Sequence, residues 1–240
     1  QALNISLSSR VGVGNIAGVA MAIAFGGPGA IFWMWVVAFF GASSAFVEST
    51  LAQIYKQRDA RGQYRGGPAY YMEKGLGQRW YAVIFALCTV AASAMLAGTQ
   101  SNAISSALQE AWGLPVQASA GAVVLLLALI IFGGVRRIAA VTQWIVPLMA
   151  TAYLLVALVV MLLSYERVPE VLSLIMRSAF GVDATFGAMI GVAIQWGVRR
   201  GVLSNEAGMG SGAHPAAAAE VSHPVKQGLV QAFSVYIDTM

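Results

Sequence analysis

Arg10-Val11-Gly12-Val13-Gly14-Asn15-Ile16-Ala17-Gly18 sits inside an apolar segment, Gln1–Phe25, long enough to cross a bilayer. Three glycines fall in the seven residues from Gly12 to Gly18, beside an arginine and an asparagine. Each glycine costs a helix roughly 1 kcal/mol relative to alanine, so the pattern predicts a helix that breaks at Val11–Asn15. A break frees backbone N–H and C=O groups, which at membrane depth must face protein, a cavity or a ligand. The helix that restarts beyond it offers bare N–H groups and the positive end of a dipole, suited to a carboxylate.

Outward from this stretch the chain reads as further spans. Gly26-Gly27-Pro28-Gly29 is a turn, and Ala30–Ile54 a second span. The polar stretch Lys56–Arg79 carries a short interfacial helix around Gly66–Met72. Trp80–Leu108, Val116–Phe132 and Ile138–Ser164 are the third to fifth spans, with a basic loop at Gly133–Arg137 and a kink at Pro147. Val168–Phe180 is too short to span and reads as a helix lying on the membrane surface. Asp183–Gly197 begins a sixth span, predicted to break at Val198–Gly201 and again around glycines 208, 210 and 212. Pro215–Glu220 is an alanine-rich helix, and Val225–Met240 opens a seventh span. The chain begins in one apolar segment and stops in another, so it reads as part of a longer protein.

Composition supports this reading. Of 240 residues, 58% are hydrophobic and 10% charged, against about 25% charged in soluble domains. The net charge of +4 is small and clustered in loops, which marks membrane orientation and argues against a nucleic-acid surface. Lys and Arg collect after the second and fourth spans, which places the N-terminus in the cytoplasm of a multi-pass plasma-membrane protein. Cys88 is alone and forms no intrachain disulfide. The two interruptions are five spans apart, so the broken helices run in opposite directions. Two interrupted spans in corresponding places point to an inverted-repeat transporter with its site near the midplane. Asn15-Ile16-Ala17-Gly18 is weakly echoed by Asn205-Glu206-Ala207-Gly208.

Val11–Ala20, Gly26–Trp35, Gly66-Gly67-Pro68-Ala69-Tyr70-Tyr71 and Arg200–Ser211 resemble signatures of the alanine/glycine:cation symporters, the sodium–alanine symporter family. The resemblance covers essentially the whole chain. It implies an all-α, polytopic fold like that of the bacterial leucine transporter, with discontinuous first and sixth spans and inverted five-helix repeats. On that scheme residues 1–240 are one transmembrane domain, part of a longer whole. The first repeat is about 1–164 and the start of the second about 183–240. The implied activity is sodium-coupled symport of a small neutral amino acid, alanine or glycine, by alternating access. Proton coupling is the alternative, and a passive pore or channel a further one. The family commonly has Thr at Val13, Lys at Ala45, and a small-Pro order where Gly212-Ala213-His214-Pro215 stands.

An amino-acid zwitterion needs a carboxylate cradle, ammonium acceptors and a wall for its side chain. Backbone N–H groups at Gly12, Gly14 and Asn15 suit the carboxylate, with the Asn15 amide as donor; capping the helix is the plainer role for Asn15. Gln100, in the family's Gln-Ser-Asn slot, is a second polar contact, or else interhelical glue. Trp196 closes the pocket over a small side chain, with Gln195 as a secondary contact. Carbonyls freed at Val11 and Gly14 are the expected sodium ligands. Arg199, Arg200 and Glu206 are expected to pair as an inner gate, with Arg10 and Glu48 in the same network. Asp238, deep in the seventh span, has no assigned role. His214, Glu220 and His223 make a poor metal set, and no nucleophile–base pairing marks an enzyme. The expected partners are the amino acid, Na+ and the lipid bilayer, with no cofactor and no nucleic acid, and the protein working as a monomer.

Overall fold

The computed structural model describes residues 12–60, 62–181 and 187–239. It is built from ten α-helices among those residues: α1 (Val13–Gly26), α2 (Gly29–Ile54), α3 (Pro68–Gly75), α4 (Arg79–Trp112), α5 (Val116–Ile131), α6 (Gly134–Leu163), α7 (Val168–Phe180), α8 (Gly187–Asn205), α9 (Ala213–Ala218) and α10 (Pro224–Thr239). Three stretches are long and apolar enough to cross a membrane, Gly29–Ile54, Arg79–Trp112 and Ala140–Leu163, while Asn15–Gly26 and Val116–Ile131 are apolar but shorter. Val11 and Arg10, on the near side of the first predicted break, lie outside the described residues. Pro147 is inside α6, where the sequence predicts it.

α2 is the hub. Helices α1, α7, α8, α9 and α10 all pack on it, because its inner face is small. Ala38, Ala42 and Ala45 are buried there against Val235 of α10. Gly228 lies beside Phe46 and Thr50 further along. Contacts at 228 with 46–50 and at 235 with 38–45 make α10 antiparallel to α2. The inner face of α10 also carries Gln227, Gln231 and Ser234, all fully buried.

α8 runs parallel to α2 on another face. A Cβ at Gly197 would stand 2.6 Å from the Ala30 carbonyl oxygen, and one at Gly201 3.0 Å from Val37 Cβ. These two glycines serve close approach of two helices. The break predicted at Val198–Gly201 is therefore absent: α8 continues through it and ends at Asn205. The chain leaves helical geometry only at 206–212, where Glu206 (φ 49°), Gly208 (φ 81°) and Gly210 (φ 80°) are left-handed. A non-glycine residue in that region is strained, so Glu206 is held there by its surroundings.

Other expectations shift more modestly. α7 coincides with the predicted surface helix, but it docks on the start of α2: Ile175 and Ala179 are buried, and the Gly29 N–H donates to Ser178 Oγ at 3.0 Å. The polar stretch after α2 contains an antiparallel pair, β1 (Gln57–Arg58) and β2 (Tyr64–Arg65). Asp59 closes it, accepting from the Gln63 N–H at 2.9 Å and pairing with Arg65 at 3.1 Å. α3 follows on a Pro at its first turn. Its Tyr71 is partly buried, and burial, then Glu48, then Tyr81, push the phenol up to about 12.

The packing of α10 on α2 can be tested at one glycine. Gly228→Ala forces a Cβ within 2.2 Å of Thr50 Oγ1 and 2.9 Å of the Phe46 carbonyl oxygen, and should cost about 1–3 kcal/mol. Gly98→Ala, with nothing within 4 Å, should be neutral or slightly stabilising; melting in detergent compares the two. Tyr71 has its folded value above the usual 10. The contribution of its neutral phenol is therefore intact below pH 10 and is lost as the pH climbs towards 12. An ultraviolet difference titration of wild type against Tyr71→Phe should show one phenol ionising near pH 12; a missing phenol that titrates near 10 would contradict its burial.

Candidate functional site

Two helix ends and a third helix meet at one point. α1 starts there, α8 stops there, and the last described turn of α10 passes through it. Gly12 is extended (φ −151°, ψ 173°) and caps α1 with no side-chain help; its carbonyl accepts the Asn15 N–H at 3.1 Å. Asn15 thus sits in the first turn of the helix and is not its cap. Its side chain reaches sideways instead, and Nδ2 donates to Asp238 Oδ1.

Asp238 is the centre of the cluster. Ser204 Oγ, in the last turn of α8, donates to Asp238 Oδ2 at 2.9 Å and lies 3.3 Å from Asn15 Oδ1. Thr239 Oγ1 lies 3.3 Å from Asp238 Oδ2 and donates to Asn205 Oδ1. Asn205 is fully buried. The node gathers side-chain oxygens from Asn15, Ser204, Asn205, Asp238 and Thr239. Asn15 and Asp238 are 223 residues apart in sequence.

The helix ends set the field around this node. The start of α1 carries the partial positive charge of a helix N-terminus. The end of α8 presents carbonyls and a partial negative charge, reinforced by the Asp238 carboxylate. An anion is favoured on one side and a cation on the other, which is the charge pattern of a zwitterion plus a hard cation.

The residues singled out from sequence divide around the node. Gly12 and Gln100 are brought together: a Cβ on Gly12 would lie 3.2 Å from Gln100 Nε2. Gly14 is in the first turn of α1, while Val11 lies outside the described residues. Trp196 packs on α1, its ring stacked on Phe25 at 5.0 Å between centroids and 19° between planes. Arg200, one turn on, lies over the same ring at 5.5 Å, with Nη2 3.3 Å from Met21 Sδ and its stem against Gly18. Gln195 and Arg199, i and i+4, are on the exposed face of α8. The glutamate of the expected gate is elsewhere: Glu206 accepts from Ser211 Oγ at 3.1 Å, and among the described residues neither Arg199 nor Arg200 forms an ion pair. Because α8 runs unbroken to Asn205, Arg200 is displaced from the node towards the Gly26–Gly29 turn. Glu48 is 7% exposed and accepts the Gly210 N–H at 3.1 Å, holding the unwound segment.

Ser204, Asn205 and Thr239 escape the sequence reading, and Asp238 has no role in it. The signals available are a carboxylate deep in an apolar helix and the Asn205 echo of Asn15; the structure puts both asparagines in the same node.

Residues 1–240 match the family model for the sodium:alanine symporter family along their whole length. The chain is 63% identical over 241 residues to the putative sodium/proton-dependent alanine carrier protein of Bacillus subtilis strain 168, with 100% of this chain and 50% of that protein covered. It is 52% identical over 241 residues to the probable sodium/glutamine symporter of the same organism, with 100% and 50% covered. It is 48% identical over 238 residues to the sodium/proton-dependent alanine carrier protein of Bacillus sp. strain PS3, with 99% and 53% covered. The chain spans about half the length of the curated relatives it matches. Apolar spans, helix ends converging on a half-buried carboxylate and a match from first residue to last lead to one assignment: the chain belongs to the sodium:alanine symporter family.

Proposed function

We propose that this chain takes part in symport of a small neutral amino acid, alanine or glycine, coupled to Na+ and driven through alternating access across the plasma membrane. The observation that carries the reading is the Asn15–Ser204–Asp238 node. A carboxylate surrounded by amide and hydroxyl oxygens is a donor set for a hard monovalent cation. The start of α1 beside it is a donor set for a carboxylate. Gly12 and Gly14 leave room for the substrate's backbone end, and Gln100 supplies a polar contact from α4. The Phe25–Trp196 stack lies on the same two helices about 12–15 Å from the node, where it can line the approach to the site.

The relatives' names include proton dependence, and one feature here favours keeping that second reading. A carboxylate is a ligand for Na+ and also a site a proton can occupy. The two are separated by the driving gradient. In proteoliposomes, an inward sodium gradient should accumulate labelled alanine above its external concentration; accumulation under a proton gradient alone would select the proton. Equilibration without accumulation would select a pore instead.

Two substitutions test the node. Asn15→Ala removes the donor to Asp238 and should weaken alanine binding by more than about tenfold, the scale of a lost charge-assisted hydrogen bond. An unchanged affinity would take Asn15 out of the site. Asp238→Asn preserves size but not charge. It should raise the sodium concentration needed for half-maximal uptake by at least about tenfold; an unaltered sodium dependence would place the cation elsewhere.

A further inference from the structure

The unwound segment and the short helix beyond it do not float. They lie along α2 in register, Asn205 and Ala207 against Gly41, Gly208 against Ser44, Gly210 on Glu48 and Ala213 and Ala217 on Ala52. At the end of this track α9 is fastened by two side chains. Gln53, 4% exposed, donates its amide to the carbonyls of Ala216 and Ala219, the latter at 2.8 Å. Lys56 donates to Gln53 Oε1 at 2.6 Å and to the Ala219 carbonyl at 3.0 Å. Its ammonium also lies 4.1 Å from the centroid of the Tyr64 ring. Gln53 is twelve residues along α2 from Gly41, about 18 Å from the level of the node.

The chemistry of this cluster is that of a cap supplied by another helix. The Ala216 carbonyl accepts the Ala219 N–H at 3.3 Å, and the last carbonyls of a helix otherwise lack intrahelical partners. Charge at that end is partially negative, and a lysine placed there satisfies both the acceptors and the dipole. Burial draws the Lys56 ammonium below the ordinary lysine range, while Tyr64 and Glu220 push it back up and Arg58 adds to the lowering. The neighbouring chain leaves no slack. A Cβ on Gly66 would meet Ala217 Cβ at 2.6 Å, and one on Gly67 would meet the His214 ring at 2.3 Å. His214 Nδ1 is 3.1 Å from the Gly66 carbonyl.

We infer that Gln53 and Lys56 are positioning residues of the transport cycle: they hold the distal half of the second broken helix shut on the Lys56 end of α2, and releasing them opens the route between the node and that face. Neither side chain touches the node, so neither binds the amino acid or its cation. This closure is made by a neutral amide and one cation on backbone carbonyls. The inference rests on the transport reading, but its structural half is measurable without transport.

The test uses hydrogen–deuterium exchange of the protein and alanine flux in proteoliposomes, side by side. Lys56→Met keeps the length of the side chain and removes its donors. It should speed exchange of amides 213–219 by more than about tenfold, leave 29–50 and 224–239 at wild-type rates, and add a sodium-independent alanine leak. Alanine affinity at the node should stay within about twofold. Lys56→Arg keeps the charge and should lie near wild type in both assays. Unchanged exchange at 213–219 would refute the latch. Faster local exchange with no added leak would reduce it to packing and refute the role in transport. Should Lys56→Met unfold the protein, Gln53→Met is measured in its place, with the same outcomes deciding for and against. Failure of sodium-driven uptake in the wild type would sink the symport reading while leaving the exchange result standing.

Discussion

A backbone that leaves the helix in apolar surroundings must bond to something, and this requirement organises the molecule. Each unpaired N–H or C=O in a hydrocarbon setting costs several kcal/mol. Residues 206–212 leave helical geometry, and α2 provides what they need along a single face. Gly41, Ser44 and Ala45 make room for the segment. Glu48 accepts the Gly210 N–H, and Gln53 with Lys56 takes the carbonyls where α9 ends. Positions 41, 45, 48 and 52 recur at helical spacing, so one stripe of small and polar side chains suffices. A bulkier α2 could not carry the segment, and a wholly apolar one would leave its peptide groups unpaired.

The same helix brings the start of α1 to the interruption that follows α8. α8 lies parallel to α2 and α10 antiparallel to it, so the end of one and the outgoing turn of the other arrive at the same depth. α1 packs on both α2 and α8 and begins at that depth. Two helix termini at one point would be a liability without polar side chains to meet them. Asn15, Ser204, Asn205, Asp238 and Thr239 provide these, each bonded to another member of the set.

Much of this is legible in the residues, and the reasons for the rest are physical. Helix boundaries read well where glycine, proline or charge punctuates an apolar run: the sequence places Val168–Phe180 to the residue, and Pro224–Thr239 within one. Glycine is the ambiguous letter. At 208 and 210 it marks left-handed backbone, whereas at 197 and 201 it marks contact with α2. Composition alone does not separate unwinding from close packing, so sequence reasoning adds a break at Val198–Gly201 to the one it places at glycines 208, 210 and 212. The node itself is beyond its reach, since Asn15 and Asp238 meet only because α1 and α10 are both gathered by α2 and α8. The hairpin at 57–65 escapes for a different reason: its strands are two residues each, too short for any periodicity.

Asn15 occupies the position through which two ligands would sense each other. Its side chain is bonded to Asp238 and faced by Ser204, while its backbone belongs to the first turn of α1, beginning at Gly12. A cation entering the oxygen cluster would compete with the Asn15 amide for Asp238. The freed amide is then available to a substrate carboxylate at the start of α1. An amino acid already bound there would in turn hold the amide off Asp238 and favour the cation. On the proposed reading, coupling needs no long-range relay, because the orientation of one amide answers to both sites, and linkage makes the preference reciprocal.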